Sequence, residues 1–208
     1  MIINKYQHKT THKDVFLVFG AMGAGKTTVG KYMKENYNHH DNINPYDFIE
    51  LDDYIRKDSG MSVMEYFKTI GYEKFYEHSV MCVENIIENF HKEKLSCMMR
   101  DEKPYSILLI DIGAGSTFDY RAISLVNNYQ SIHLSADADY LYTNRSKCIE
   151  TYKEFGYYNY FHFNKERDIL YNKCDVKIDV AYLTVQQVAE NIDWKIKNYL
   201  LSLNQDLN

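Results

Sequence analysis

Residues 15–27 have the sequence VFLVFGAMGAGKT, and this stretch decides the fold. Val15 to Phe19 form a continuous apolar run, which predicts a strand buried on both faces of a parallel sheet. Residues 20–27 then match the pattern G-x-x-x-x-G-K-[ST], and a helical pattern follows directly over residues 27–35. A strand, a glycine-rich turn and a helix in this order are the context that a phosphate-binding loop requires.

The residues of this loop indicate how it would hold a nucleotide. Its glycines let the backbone N–H groups approach phosphate oxygens, and the helix that begins near Lys26 adds its positive end. Lys26 would contact the β and γ phosphates of a nucleotide, and the Thr27 hydroxyl would ligate Mg²⁺. The predicted nucleotide-binding residues of the loop are Gly20, Gly23, Ala24, Gly25, Lys26, Thr27 and Thr28.

Four further apolar segments predict the remaining strands of an α/β protein with a parallel sheet. They are residues 48–51, 107–110, 131–134 and 176–180. The last two alternate polar and apolar residues, which suits edge or half-covered strands. The clearest helix follows Thr184, where apolar residues lie on one stripe as far as Leu203.

The length of 208 residues predicts one domain. Two long inserts interrupt the alternation of strands and helices. Residues 53–91 form a helical excursion between the second and third strands, with the spacing of a capping box at Ser62 and Glu65. Residues 140–172 separate the fourth and fifth strands and are rich in Tyr, Phe, Asn and Lys.

Composition excludes several classes of protein. A net charge of −5 argues against a nucleic-acid binder, and the chain has no apolar run of membrane-spanning length. The polar N-terminal stretch does not resemble a secretory signal. The cysteines are dispersed, which predicts reduced thiols in a cytoplasm and no zinc site; they are Cys82, Cys97, Cys148 and Cys174.

Carboxylates end two of the predicted strands. Asp111 follows the third strand directly, and Glu50 and Asp52 end the second. Carboxyl ends of parallel strands face the ligand crevice, so Asp111 is a candidate Mg²⁺ partner. Of the other two acids, one could hold the metal while the other orients an acceptor hydroxyl. The competing interpretation is that acids at strand ends are simply solvated.

Residues 20–30, with the sequence GAMGAGKTTVG, resemble the phosphate-binding loop of shikimate kinases, including its Met and its trailing Thr-Val-Gly. Further segments resemble that family's acid-bearing strand, its substrate-binding helices and its arginine-bearing segment; they are residues 48–55, 59–63, 71–77 and 166–175. The similar segments occur in the family's order over most of the chain.

This resemblance implies a nucleoside-monophosphate-kinase-like P-loop fold with sheet order 2-3-1-4-5 and a mobile lid in residues 140–172. The implied reaction transfers the γ-phosphoryl group of ATP to a hydroxyl of a small acceptor, shikimate or a related polyol or acid, with Mg²⁺ present. Under the same resemblance residues 53–91 bind the acceptor, and the protein is expected to be a monomer or weak homodimer. The net charge and the lack of a long apolar run predict that it has no nucleic-acid or membrane partner.

The resemblance also implies roles for single residues, according to their positions in the family's pattern. Lys26 falls on the phosphate clamp, and Asp52 on the acid that contacts and activates the acceptor hydroxyl. Arg167 falls on an arginine that grips the acceptor carboxylate. Arg145 falls near an arginine that lies against adenine, with a surface salt bridge as the open alternative. The implied metal-binding residues are Thr27, Glu50 and Asp111.

The chain departs from the family pattern in its acceptor pocket and lid. Glu50 replaces an aspartate, and Tyr76 replaces a second carboxylate-gripping arginine. The family's triple glycine is Gly113-Ala114-Gly115 here. The lid lacks an Arg-Pro-Leu stretch, so its positive charge would come from Lys147, Lys153 or Lys165. These departures motivate an alternative function, a catalytically weakened nucleotide-binding protein that acts as a regulator or partner module.

Overall fold

Five strands form one parallel sheet in the order β2-β3-β1-β4-β5. The computed structural model describes residues 12–37, 46–100, 106–113, 120–137, 139–141, 143 and 167–205. The strands are β1 (Val15–Gly20), β2 (Tyr46–Glu50), β3 (Ile107–Asp111), β4 (Gln130–Ser135) and β5 (Val176–Asp179). The predicted fold class and strand order are therefore confirmed.

Seven helices accompany the sheet within the described residues. They are α1 (Lys26–Asn36), α2 (Leu51–Ser59), α3 (Val63–Ile70), α4 (Tyr72–Met99), α5 (Tyr120–Asn128), α6 (Asp168–Tyr171) and α7 (Val185–Gln205). The predicted capping box at Ser62 and Glu65 begins α3, with both reciprocal hydrogen bonds present. None of the described helices is long and apolar enough to cross a membrane.

The alternating pattern of the fourth strand gave a wrong prediction. β4 pairs with β1 on one side and β5 on the other, and all six of its residues are buried. Its polar side chains are accommodated by local hydrogen bonds, such as the one that Ser131 Oγ donates to Asp175 at 2.7 Å. β5 lies at the edge of the sheet, as its pattern predicts.

The two faces of β1 divide the core. Leu17 and Phe19 face a cluster that includes residues of α2, α4 and α5, whereas Phe16 and Val18 face one that includes residues of α1 and α7. Every residue of β1 is buried, which accounts for its unbroken apolar run. This central strand ends directly in the glycine-rich loop, so the loop is anchored to the middle of the sheet.

The second strand ends one residue earlier than its apolar pattern suggests. Glu50 is the last residue of β2 and also the N-cap of α2, with extended dihedral angles of φ −86° and ψ 120°. Leu51, predicted as strand, is the first residue of α2 and is fully buried. The abrupt change from strand to helix places Glu50 and Asp52 at the carboxyl edge of the sheet.

Candidate active site

The backbone of the glycine-rich loop adopts conformations that residues with a side chain disfavour. Gly20, Gly23 and Gly25 have φ values of 154°, 94° and 82°. A Cβ at Gly20 would lie 2.6 Å from the carbonyl oxygen of Leu134 on the adjacent strand. Gly25 is the N-cap of α1, so the first N–H groups of the helix point into the loop. The loop therefore has the form of a phosphate cradle, as its sequence predicts.

Lys26 lies across this loop. Its Nζ donates to the carbonyl oxygen of Gly20 at 2.9 Å and to that of Ala21 at 3.4 Å. The same Nζ lies 3.9 Å from Asp111 Oδ1 at the end of β3. Lys26 thus brings a positive charge to the point where the loop meets the acid of the third strand.

Thr27, Glu50 and Asp111 meet at the carboxyl edge of the sheet. Glu50 and Asp111 are register partners in the β2–β3 ladder. The Thr27 hydroxyl lies 2.7 Å from Asp111 Oδ2 and 3.2 Å from Glu50 Oε2. The hydroxyl has one proton, which fits the shorter contact to Asp111. The three side chains therefore bring a cluster of oxygen atoms together at this edge.

The electrostatics of Asp111 suit a divalent cation. Burial raises the pKa of Asp111, while the charge of Lys26 and the hydrogen bond from Thr27 act in the opposite direction. Its Oδ1 is buried without a hydrogen-bond partner among the described residues. Hydroxyl and carboxylate oxygens are the ligands that Mg²⁺ prefers, so these residues fit that ion.

Lys31 is a neighbour of this cluster that the sequence analysis did not identify. Its Nζ lies 2.6 Å from Glu50 Oε1, and this hydrogen bond raises the pKa of Lys31. Lys31 follows Thr27 by four residues on α1, so the two lie on the same side of the helix. That spacing from Thr27 is the feature of the sequence from which the position of Lys31 beside the cluster could have been predicted.

Asp52 lies in the first turn of α2, where its side chain packs against protein on one side and is exposed to solvent on the other. Its carboxylate packs against the backbone of Gly113, where an added Cβ would overlap it. The pKa of Asp52 is raised to about 6, first by burial among protein atoms and then by the charge of Asp111; Lys26 opposes the shift. Gly113 therefore permits the position of Asp52, and neighbouring acids tune its proton affinity.

The two remaining described candidates for the acceptor pocket are deeply buried. Arg167, the N-cap of α6, is 1% exposed. Tyr76 is 2% exposed and packs against the rings of Tyr72 and Phe75, at centroid distances of 4.7 and 5.6 Å. Acceptor contacts by either side chain stay predictions. Ala114, Gly115 and Arg145 lie outside the described residues, as do Lys147, Lys153, Lys165 and most of the predicted lid.

His133 supports the helix that carries Arg167, and the sequence analysis assigned it no role. Its ring stacks on Tyr171 at 4.4 Å, and the N–H of Tyr171 donates to the carbonyl oxygen of Arg167 at 2.9 Å. Burial lowers the pKa of His133 to about 4, and the charges of Lys177 and Lys26 add to the shift. His133 is therefore neutral at physiological pH. The available signal was a histidine within a strand candidate.

Comparisons with known proteins agree with this geometry. A family model described as shikimate kinase matches residues 22–197. A shikimate kinase of Azobacteroides pseudotrichonymphae is 26% identical over 193 residues, covering 88% of this chain and 99% of the relative.

Two solved structures are similar to this chain in fold. The shikimate kinase of Bacteroides thetaiotaomicron has a TM-score of 0.62 at 20% identity, covering 93% of this chain and 97% of its own. The shikimate kinase of Acinetobacter baumannii in complex with shikimate has a TM-score of 0.58 at 21% identity, covering 88% and 92% respectively.

Proposed function

This chain belongs to the shikimate kinase family, and from that premise we propose that it transfers the γ-phosphoryl group of ATP to a hydroxyl of shikimate. The observation that carries the proposal is the position of Asp52. Its carboxylate lies against Gly113, at the sheet edge that also holds Lys26, Thr27 and Asp111. An acid beside a phosphate-binding loop is placed to receive the proton of an attacking hydroxyl.

The loop and its neighbours would hold the nucleotide. Backbone N–H groups at the start of α1 would bind phosphate oxygens, and Lys26 would turn from the loop carbonyls to the β and γ phosphates. Thr27 and Asp111 would hold Mg²⁺, with Glu50 contacting it through water. The ion, when bound, supplies positive charge against the phosphate oxygens.

Asp52 would act as the general base. Because its pKa is about 6, its carboxylate is mostly ionised at neutral pH and can accept a proton. The acceptor oxygen forms a bond to the γ-phosphorus as the bond from that phosphorus to the oxygen bridging it to the β-phosphate breaks. The hydroxyl proton passes to Asp52, and ADP leaves. The protein forms no covalent intermediate, so its contribution is positioning and charge stabilisation.

We propose that the acceptor binds to residues that fall on the positions of the family's acceptor pocket. They are Asp52, Tyr76, Gly113, Ala114, Gly115 and Arg167. A planar guanidinium can bind a carboxylate through two parallel hydrogen bonds, so Arg167 would select acidic acceptors. Arg145 would lie against adenine. The dispersed cysteines support a reducing, cytoplasmic setting for this reaction.

The test is a turnover assay with ATP, Mg²⁺ and a panel of hydroxylated acceptors, with ADP release as the signal. We expect shikimate to stimulate ADP release most strongly among the acceptors. Lys26→Ala should lower this turnover by about 10²–10³-fold, because it removes a cation from the transferring phosphoryl group. Lys34→Ala is the matched control, since Lys34 is on the same helix and pairs with Asp47 at 2.7 Å.

Tight ATP binding without stimulation by any acceptor would contradict the kinase proposal and support the regulator alternative. The comparisons do not favour that alternative, because the family model and the relatives above are kinases. Stimulation by another polyol or acid, but not by shikimate, would retain the phosphotransferase and overturn the proposed acceptor.

A further inference from the structure

We propose that Asp58, His78 and Cys82 form a binding site for a transition-metal dication of the zinc class, separate from the nucleotide site. We call these three residues the helix-pair site, because they join the packed helices α2 and α4. Their three ligand atoms lie within 4.8 Å of one another. A thiolate, an imidazole and a carboxylate are the ligands that Zn²⁺ accepts in proteins.

The positions of the three residues follow from the helices. His78 and Cys82 are four residues apart on α4, so the two side chains lie on the same face of that helix. Asp58 is in the last turn of α2, which packs against α4. Two ligands at this spacing on one helix, with a third from a neighbouring element, make a common metal-binding arrangement.

The separations of the ligand atoms are close to those of a tetrahedral site. His78 Nε2 lies 3.0 Å from Asp58 Oδ2 and 3.6 Å from Cys82 Sγ. Zinc bond lengths of about 2.0–2.3 Å place tetrahedral ligand atoms roughly 3.3–3.7 Å apart. The proposal requires only side-chain rotation of His78 and Asp58, because the ligand atoms already lie within 4.8 Å of one another.

The three residues differ in solvent exposure, and this difference is compatible with a metal site that has one position open to water. Cys82 is 1% exposed, whereas the side chains of His78 and Asp58 are 21% and 52% exposed. The sulfur therefore lies at the base of the site and the carboxylate at its rim, which leaves a position that water can occupy. The ring of Tyr66 meets that of His78 edge-on at 5.1 Å and limits the orientations of the imidazole.

An ion pair accounts for the contact between His78 and Asp58, and core packing accounts for the burial of Cys82. Neither of them requires the sulfur to lie 3.6 Å from the same His78 nitrogen that meets Asp58. Burial raises the pKa of the Cys82 thiol to about 11, and the charge of Asp58 adds to the shift. A bound dication would reverse this balance: the Sγ–H bond breaks, a metal–sulfur bond forms, and the proton passes to the buffer.

Metal binding at this site would clamp α2 against α4. Asp52, the proposed base, is in the first turn of the same helix α2 that carries Asp58 in its last turn. A metal ion that holds α2 against α4 would therefore stabilise the helix on which Asp52 lies.

The test uses the full chain, freed of metal by a chelator and kept in excess Mg²⁺ to occupy the oxygen-rich site. Titration with Co²⁺ should produce a sulfur-to-cobalt charge-transfer band that saturates at one equivalent. Competition with a chromophoric chelator then measures Zn²⁺ affinity. We expect Asp58→Asn and His78→Gln to weaken Zn²⁺ binding by at least about 10-fold, since even loss of a partner behind a ligand costs that much, and Cys82→Ser to abolish the charge-transfer band.

Matched controls separate the helix-pair site from adventitious binding. Cys97→Ser and His91→Gln alter the same residue types elsewhere on α4 and should leave Zn²⁺ affinity and the Co²⁺ spectrum unchanged. Asp58→Asn alters a half-exposed side chain, so it tests the site even if Cys82→Ser fails to fold. The proposal is overturned if wild type shows no charge-transfer band, or if Asp58→Asn and His78→Gln bind Zn²⁺ as tightly as wild type.

Discussion

The replacement Gly113→Ala should damage catalysis far more than stability. A Cβ at Gly113 would overlap Asp52 Oδ1 and lie 2.6 Å from Asp52 Cγ. An ordinary contact between such atoms is about 3.5 Å, so the carboxylate must shift by about 1 Å. Displacing a catalytic group by this amount can cost about 10²-fold in rate, equivalent to about 2.7 kcal/mol in activation free energy.

The stability cost of the same replacement should be small. The side chain of Asp52 is partly exposed and can turn toward solvent. We therefore expect less than about 1.5 kcal/mol of destabilisation, near the lower end of the range for overpacking. Gly60→Ala is a matched control, because Gly60 has φ 71° and open space around it. It should lose about 1–2 kcal/mol, because a side chain disfavours the left-handed conformation, and keep its activity.

The assay is kcat/KM for acceptor-stimulated ADP release, measured in a double-mutant cycle with Asp52→Ala. If the collision with Asp52 is the cause, Gly113→Ala should have little further effect in the Asp52→Ala background. Wild-type turnover in Gly113→Ala would refute the reasoning. An equal loss in both backgrounds would show that Gly113 acts through some other contact.

Four further outcomes are expected. Gly30→Ala should destabilise the protein by about 1–3 kcal/mol in urea unfolding, because its Cβ would collide with the ring of Phe48; the loss should shrink in a Phe48→Ala background. The kcat/KM should rise with pH through about 6 as Asp52 ionises, and a profile flat across that pH would contradict its role as base. Because the pKa of Asp52 is raised from 3.8, the carboxyl binds its proton more tightly in the folded state, and wild type should lose thermal stability relative to Asp52→Asn as the pH rises from about 4 to about 7. Arg167→Ala should raise the KM for an acidic acceptor while sparing ATP binding; a collapse of ATP affinity would place Arg167 in the nucleotide site instead.

The local sequence by itself determined the phosphate-binding loop and the centre of the sheet. An apolar run long enough for one strand, followed by three glycines and Lys26, is compatible with few structures other than a strand that ends in a phosphate-binding loop. Gly20 and Gly25 adopt backbone conformations that disfavour other residues. Glycines at these positions in the sequence therefore predict the turn of the loop. The acids Glu50 and Asp111 could be predicted because strand ends in a parallel sheet share one edge.

The sequence pattern misled where burial depends on neighbouring elements. The alternation around Ser131 suggests a half-covered strand, but pairing with β1 and β5 buries it, and Asp175 satisfies its hydroxyl. The dispersed cysteines predict no zinc site from their spacing along the chain, and this stays a prediction. The proposed helix-pair site depends on packing, because only the contact of α2 with α4 brings Asp58 beside His78 and Cys82.

Tertiary structure alone decided the energetics of the active site. Whether Asp52 is an ordinary surface acid or a base with a pKa near 6 depends first on its burial among protein atoms and then on the charge of Asp111, about sixty residues away along the chain. Electrostatic interactions act through space over a few ångströms, whereas sequence patterns report periodicity along the chain. The sequence determined which residues could take part in the chemistry, and the packing of helices against the sheet determined their proton affinities and their distances from one another.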